Sequence, residues 1–214
     1  MQGNTIIGEM PTDRMFYAYY ENGDKLLLNW PSTGRPACYI NRDTTYVADI
    51  LYDDVWPLSE RVKFIALSEQ NRTKTGFGSN TITGAWCQTF VNWVACFANA
   101  PDDPIYHESG CTSQVTTLLG FRFHPVGSEG YNPQPGDWLY YHYDNEDDPD
   151  VVASHVGLII SNNGNGYGNT IEANRAVNTN GELIVRQFFV SFSSTYGDSS
   201  LSPIGYATPP YKDA

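Results

Sequence analysis

Residues 85–100, AWCQTFVNWVACFANA, constrain the fold more than any other stretch. Phe90, Val91, Val94, Phe97 and Ala98 recur at helical spacing, which predicts a buried helix that begins near Cys87 and is stopped by Pro101. An earlier helix is expected from a Ser59 cap to about Asn71, with Val62, Phe64, Ile65, Ala66 and Leu67 as its apolar face. From residue 131 onward the pattern changes. YNPQPGDWLYYHY, SHVGLIISNN, TIEANRA, GELIVRQFFVSF and PIGYA read as strands, divided by Gly-rich turns such as NNGNGYGN. Helices followed by a run of antiparallel strands define an α+β chain, with the helices packed on the sheet.

The N-terminal part is different in kind. Residues 12–55 read as short strands, and FYAYYENGDKLLLNW sets Asn22-Gly23 between two apolar runs as a hairpin signal. ACYINRDTTYVADILY is a second extended stretch, and TKTGFGSNTITG reads as a loop. A chain of 214 residues supports one sizeable core and a small appendage. The expected division is therefore a strand-rich extension over 1–54 and a main domain over 55–214. No linker-like tract precedes Pro57, which favours an extra sheet layer over a separate module.

The net charge of −12, from 24 acidic and 12 basic residues, sets limits on partners. An acidic surface with no Lys/Arg cluster repels phosphate backbones, so nucleic acid is not an expected partner. No apolar run is long enough to span a bilayer, so membrane insertion is not expected either. The start, MQGNTIIGEMPTDR, has neither a basic segment nor an apolar stretch, and no secretory signal is expected from it.

The four cysteines, Cys38, Cys87, Cys96 and Cys111, form no C-x-x-C pair and give no zinc signature. For most of them a small buried apolar role is the simpler reading. Cys87 differs by position. At a helix start, free N–H groups and the positive end of the dipole stabilise a thiolate, whereas Cys96 lies further in among apolar neighbours. A thiolate nucleophile needs an imidazole, and the imidazole needs a group that holds its tautomer. Of the four histidines, His107 and His124 fall in loop-like segments and His142 precedes the acidic run DNEDDPD; His155 opens the strand SHVGLII. Glu172 and Asn174 have the same parity in TIEANRA, so a regular strand would turn both to one side of the sheet. Each alone has a plain structural reading, as a strand-edge histidine or a solvated strand residue.

WCQTFVNWVA, NPQPGDWLYY, SHVGLII and TIEAN, in this order, resemble the successive blocks of the CHAP family, the cysteine, histidine-dependent amidohydrolases/peptidases of the papain-like group. IGYATPP resembles the ending of these domains, so the resemblance covers roughly residues 55–210. It implies a papain-like fold, with Cys87 as nucleophile, His155 as base, Glu172 orienting the imidazole and Asn174 as the accompanying polar residue. Trp86, Trp93 and Trp138 are weaker candidates for lining a substrate cleft, with buried packing as the alternative for each. The resemblance implies no cofactor. Some members carry an Asp-rich calcium site before the nucleophile, and TGFGSNTITGAW has no acidic residue to form one. The acidic loop 144–150 has the oxygen ligands a hard cation prefers, against the simpler reading of a solvated loop.

The substrate implied is an amide bond of bacterial peptidoglycan, either the muramoyl-L-alanine link or a bond within the stem or cross-bridge peptide. A chain of this kind without a signal is expected to act on the wall after delivery by a phage, as an endolysin or virion-associated lysin, or by a non-standard export route. Residues 1–54 could then serve in virion or wall docking. Two alternatives stand beside this reading: a non-catalytic phage structural or wall-binding protein that retains the fold, and a papain-like protease acting on protein substrates.

Overall fold

A computed structural model describes residues 20–22, 25–29, 38–41, 57–74, 85–98, 110–118, 122–194 and 200–209. The chain divides into two units, Met1–Asp53 and Asp54–Ala214. In the first, β1 (Tyr20–Asn22), β2 (Lys25–Asn29) and β3 (Cys38–Asn41) form an antiparallel sheet in that order. The pairing Asn22↔Lys25 closes the hairpin that Asn22-Gly23 signals. The remainder of the second extended stretch, the 75–84 loop and His107 lie outside the described residues.

The second unit opens with α1 (Leu58–Ser68). Its cap is Pro57 rather than Ser59: the Pro57 carbonyl accepts from the amides of Glu60 and Arg61, and no side chain caps the helix. The fixed φ of proline suits it to a helix entrance and removes the need for a hydroxyl there. Val62, Ile65 and Ala66 are buried, while Phe64 points outward. The amide of Asn71 then donates to the Val185 carbonyl, pinning the end of this segment to the sheet.

Helix α2 (Cys87–Phe97) begins at the predicted residue. Phe90, Val91, Val94 and Ala98 are buried as the spacing predicts; the side chains of Cys96 and Phe97 lie outside the described residues. A short α3 (Cys111–Ser113) runs into a π-helical turn, Gln114–Leu118. The six remaining strands are β4 (Phe123–Pro125), β5 (Trp138–Tyr143), β6 (His155–Asn162), β7 (Tyr167–Val177), β8 (Leu183–Ser191) and β9 (Leu201–Ala207). They form one antiparallel sheet in the order β4-β9-β5-β6-β7-β8. The unit is α+β, as expected.

Both faces of the sheet are covered. Trp138, Tyr140, Val156, Leu158 and Ile171 alternate onto the face that meets α2, and all are buried. The Tyr140 hydroxyl crosses to the helix and donates to Gln88 Oε1 at 3.2 Å, while Gln88 Nε2 donates to Asn92 Oδ1 at 2.9 Å. Leu139, Tyr141, Ile159, Val190, Phe192, Leu201 and Tyr206 form a second core on the opposite side. Strands β5 and β6 carry buried apolar side chains on both faces, which explains why WLYY and HVGLII read as near-continuous hydrophobic runs.

Asp137, the acid of the PQPGD segment, is a structural clamp. Its Oδ2 accepts from the Tyr131 hydroxyl at 2.6 Å and the Gln134 amide at 2.7 Å, and its Oδ1 from the Thr208 hydroxyl at 2.9 Å. Two of the sequence blocks, PQPGD and the IGYATPP ending, are therefore joined directly.

Candidate active site

Cys87 occupies the first turn of α2, where the leading N–H groups have no acceptor within the helix. Trp86 precedes it as the cap residue and makes no side-chain cap bond. His155 is the first residue of β6 and lies in register with Tyr141 of β5. Glu172 reaches it from β7: His155 Nε2 stands 2.9 Å from Glu172 Oε2, and both side chains are essentially fully buried. With Nε2 committed to the carboxylate, Nδ1 is the nitrogen left for sulfur, and Cys87 and His155 each shift the other's titration.

Four donors converge on Glu172. Tyr141 and Thr170 donate their hydroxyls to Oε1 at 3.0 and 2.5 Å, and Arg175 Nη1 joins His155 on Oε2, also at 2.9 Å. Arg175 is itself seated over the Phe188 ring, 4.2 Å from its centroid. Gly157 makes room for this arrangement. A Cβ at that position would meet Glu172 Cγ at 2.7 Å and Oε1 at 2.9 Å, so a side chain there and a carboxylate here exclude each other.

The electrostatics follow from the packing. Burial works against a charged Glu172, but the hydrogen bond and charge of His155, then Arg175 and Thr170, overcome it and hold the carboxyl down at about 2. Burial likewise opposes protonation of His155, yet its bonds to Cys87 and Glu172 raise it to about 9. Cys87 lies well below the ordinary thiol range. The largest cause is a hydrogen bond from the Cys111 S–H; burial opposes it, and His155 and the Val156 backbone N–H add to the lowering. These directions all favour a thiolate–imidazolium pair backed by a carboxylate, the protonation state that nucleophilic attack on a carbonyl requires.

The other expected residues fall differently. Asn174 does not join Glu172. A bulge between Glu172 and Ala176 breaks the strand parity, Asn174 adopts a left-handed φ of 66°, and among the described residues it has no hydrogen bond to His155 or Glu172. Arg175, one residue on, takes the place beside the carboxylate. Trp86 and Trp138 are 1% and 0% exposed and pack into the core, so neither offers a ring face to a substrate. Trp93 is half-buried beside the Arg72 guanidinium. His124 stacks on Tyr131, and His142 bonds the Val151 carbonyl at 3.1 Å. In the acidic loop, carboxylates of Glu146 and Asp148 accept from backbone amides two residues on. Among the described residues no three His, Cys, Asp or Glu side chains gather as a metal-ligand set.

Sequence reasoning did not find Tyr141, Thr170, Arg175 or Cys111 as part of this site. Tyr141 carries one usable signal, since its pairing opposite His155 follows once the two strands are aligned antiparallel.

No family model and no curated protein matches the sequence. Among solved structures the chain is similar to NlpC2 from Trichomonas vaginalis, with 14% identity and a TM-score of 0.45 over 89% of this chain. It spans 63% of that protein's length.

Proposed function

We propose that the chain is a cysteine-dependent amidohydrolase of the papain-like type, acting on an amide bond of bacterial peptidoglycan. The observation that carries the chemistry is the buried His155–Glu172 bond at 2.9 Å, together with the Cys87 sulfur at a helix start. Support for the substrate class comes from the order of the WCQTFVNW, PQPGD, SHVGLII and TIEAN blocks, which resembles the CHAP family.

In this reading the Cys87 thiolate attacks the amide carbonyl carbon. The tetrahedral oxyanion forms near the start of α2, where the Cys87 backbone N–H is a donor. His155 gives its proton to the leaving amine, the acyl group remains on sulfur, and the neutral imidazole then takes a proton from the water that releases it. Glu172 holds the ring in the tautomer that keeps Nδ1 toward sulfur.

Purified sacculi treated with the wild-type chain and with Cys87→Ala test the proposal, with the products read by mass spectrometry. Wild type is expected to release fragments ending in a new amine and carboxyl, and the variant to lose about 10⁴-fold or more in rate. Equal release by both removes Cys87 as the nucleophile. Intact sacculi together with rapid labelling of Cys87 by a thiol electrophile point to protein substrates. Intact sacculi with an inert Cys87 point to a non-catalytic protein that keeps the fold.

A further inference from the structure

The sulfur of Cys111 stands 3.7 Å from that of Cys87, across 24 residues of sequence, and both cysteines are free and buried. Their approach is built into the fold by the neighbouring residue. The Thr112 hydroxyl donates to the Ala153 carbonyl at 3.0 Å and accepts from the Ala153 amide at 3.1 Å. Ala153 lies two residues before His155, so the segment that carries Cys111 is fastened to the same strand entrance that carries the imidazole.

We infer that Cys87 and Cys111 form an oxidation site for hydroperoxides, which convert the pair to a disulfide and silence the catalytic sulfur until a thiol reductant restores it. The inference rests on the reading of Cys87 as an ionised thiolate. In the first step the Cys87 sulfur attacks the outer oxygen of the peroxide. An S–O bond forms, the O–O bond breaks, and the alkoxide or hydroxide that leaves takes a proton from His155. Cys87 is now a neutral sulfenic acid. The negative charge that kept the Cys111 proton in place, aided by burial, has gone. Cys111 then attacks the sulfenic sulfur, the S–S bond forms, and the hydroxyl departs with the Cys111 proton as water. Two thiol hydrogens are lost, and one peroxide is reduced to an alcohol, or water, plus water.

A disulfide needs sulfurs about 2.05 Å apart, so the gap of 3.7 Å must shrink by about 1.7 Å. The cysteines sit at the starts of separate helical segments, so neither has to leave a strand.

The test treats the native full-length chain with hydrogen peroxide, alkylates the remaining thiols and maps peptides by mass. The expected result is a linked pair of peptides carrying Cys87 and Cys111, two hydrogens lighter than the sum of the separate peptides. Dithiothreitol should then restore labelling of Cys87. In Cys111→Ser the same treatment should carry Cys87 to the sulfinic acid, with no recovery in dithiothreitol. The inference is overturned if wild-type Cys87 gains two or three oxygens while Cys111 stays open to alkylation, or if Cys87 links to Cys38 or Cys96. The wild-type map decides alone if Cys111→Ser does not fold. None of these readouts needs wall hydrolysis. A chain that forms the link but leaves sacculi intact fails only the functional proposal, and one that cuts sacculi but forms no link fails only this inference.

Discussion

Gly157→Ala is a small substitution with a large expected effect, because the new methyl would occupy space that Glu172 already fills. Its Cβ would lie 2.7 Å from Glu172 Cγ and 2.9 Å from Oε1. Carbon atoms settle at about 3.5–4.0 Å, so the carboxylate arm must retreat by about 1 Å. The His155–Glu172 bond, now 2.9 Å, would open beyond about 3.5 Å and cease to be a hydrogen bond. Misplacement by about 1 Å costs about 10²-fold in rate, and overpacking a tight interior costs about 1–3 kcal/mol of stability. Sacculus hydrolysis and thermal melting measure these two losses. The rate at which iodoacetamide labels Cys87, followed against pH, adds a readout of the mechanism. With the imidazolium less well held, the thiolate should appear at higher pH than in wild type. If Gly157→Ala hydrolyses and labels with the wild-type profile, the argument that this glycine exists to seat the carboxylate is wrong.

Two further predictions concern charge. The rate of hydrolysis should fall as pH rises through about 9, where His155 loses the proton it gives to the leaving amine, and Glu172→Gln should move that limb to lower pH. A pH–rate profile for both chains checks this, and an unmoved limb would separate His155 from Glu172. Arg175→Met removes one charged hydrogen bond from Glu172 and should cost about 1.5–3 kcal/mol at neutral pH. The Glu172 carboxyl, held at about 2 against an ordinary 4.5, contributes stability that is complete above the unfolded value and is lost as pH falls toward 2. The gap in melting temperature between Arg175→Met and wild type should therefore narrow below pH 4.5; a constant gap down to acid pH would mean that Arg175 acts through packing on Phe188 alone.

What the sequence disclosed, and what it hid, has a consistent physical cause. Helix α2 was legible because its apolar residues repeat at one period and its first residue follows a loop. The strands from 138 onward were legible because their apolar runs are bounded by Gly and Asn. Ser59 and Asn174 were misplaced for local reasons: a proline carbonyl served where a hydroxyl was expected, and a bulge shifted the parity of one strand. Neither event alters the composition of its segment. The three-residue β4, ending at Pro125, and the π-helical turn after Cys111 are too short to leave a periodic trace. The Cys87–Cys111 approach was hidden most deeply, since it depends on how a segment 24 residues away crosses the start of α2.

The crowding around Glu172 has a further consequence for the chemistry. A carboxylate has about four lone-pair sites, and here each oxygen already accepts two donors. No site remains for water, for substrate or for a travelling proton. Glu172 therefore works as a fixed charge, and the relay from the sulfur ends at the imidazole. Only one proton is mobile in such a centre. In the proposed reaction it passes between His155, the departing amine and the incoming water.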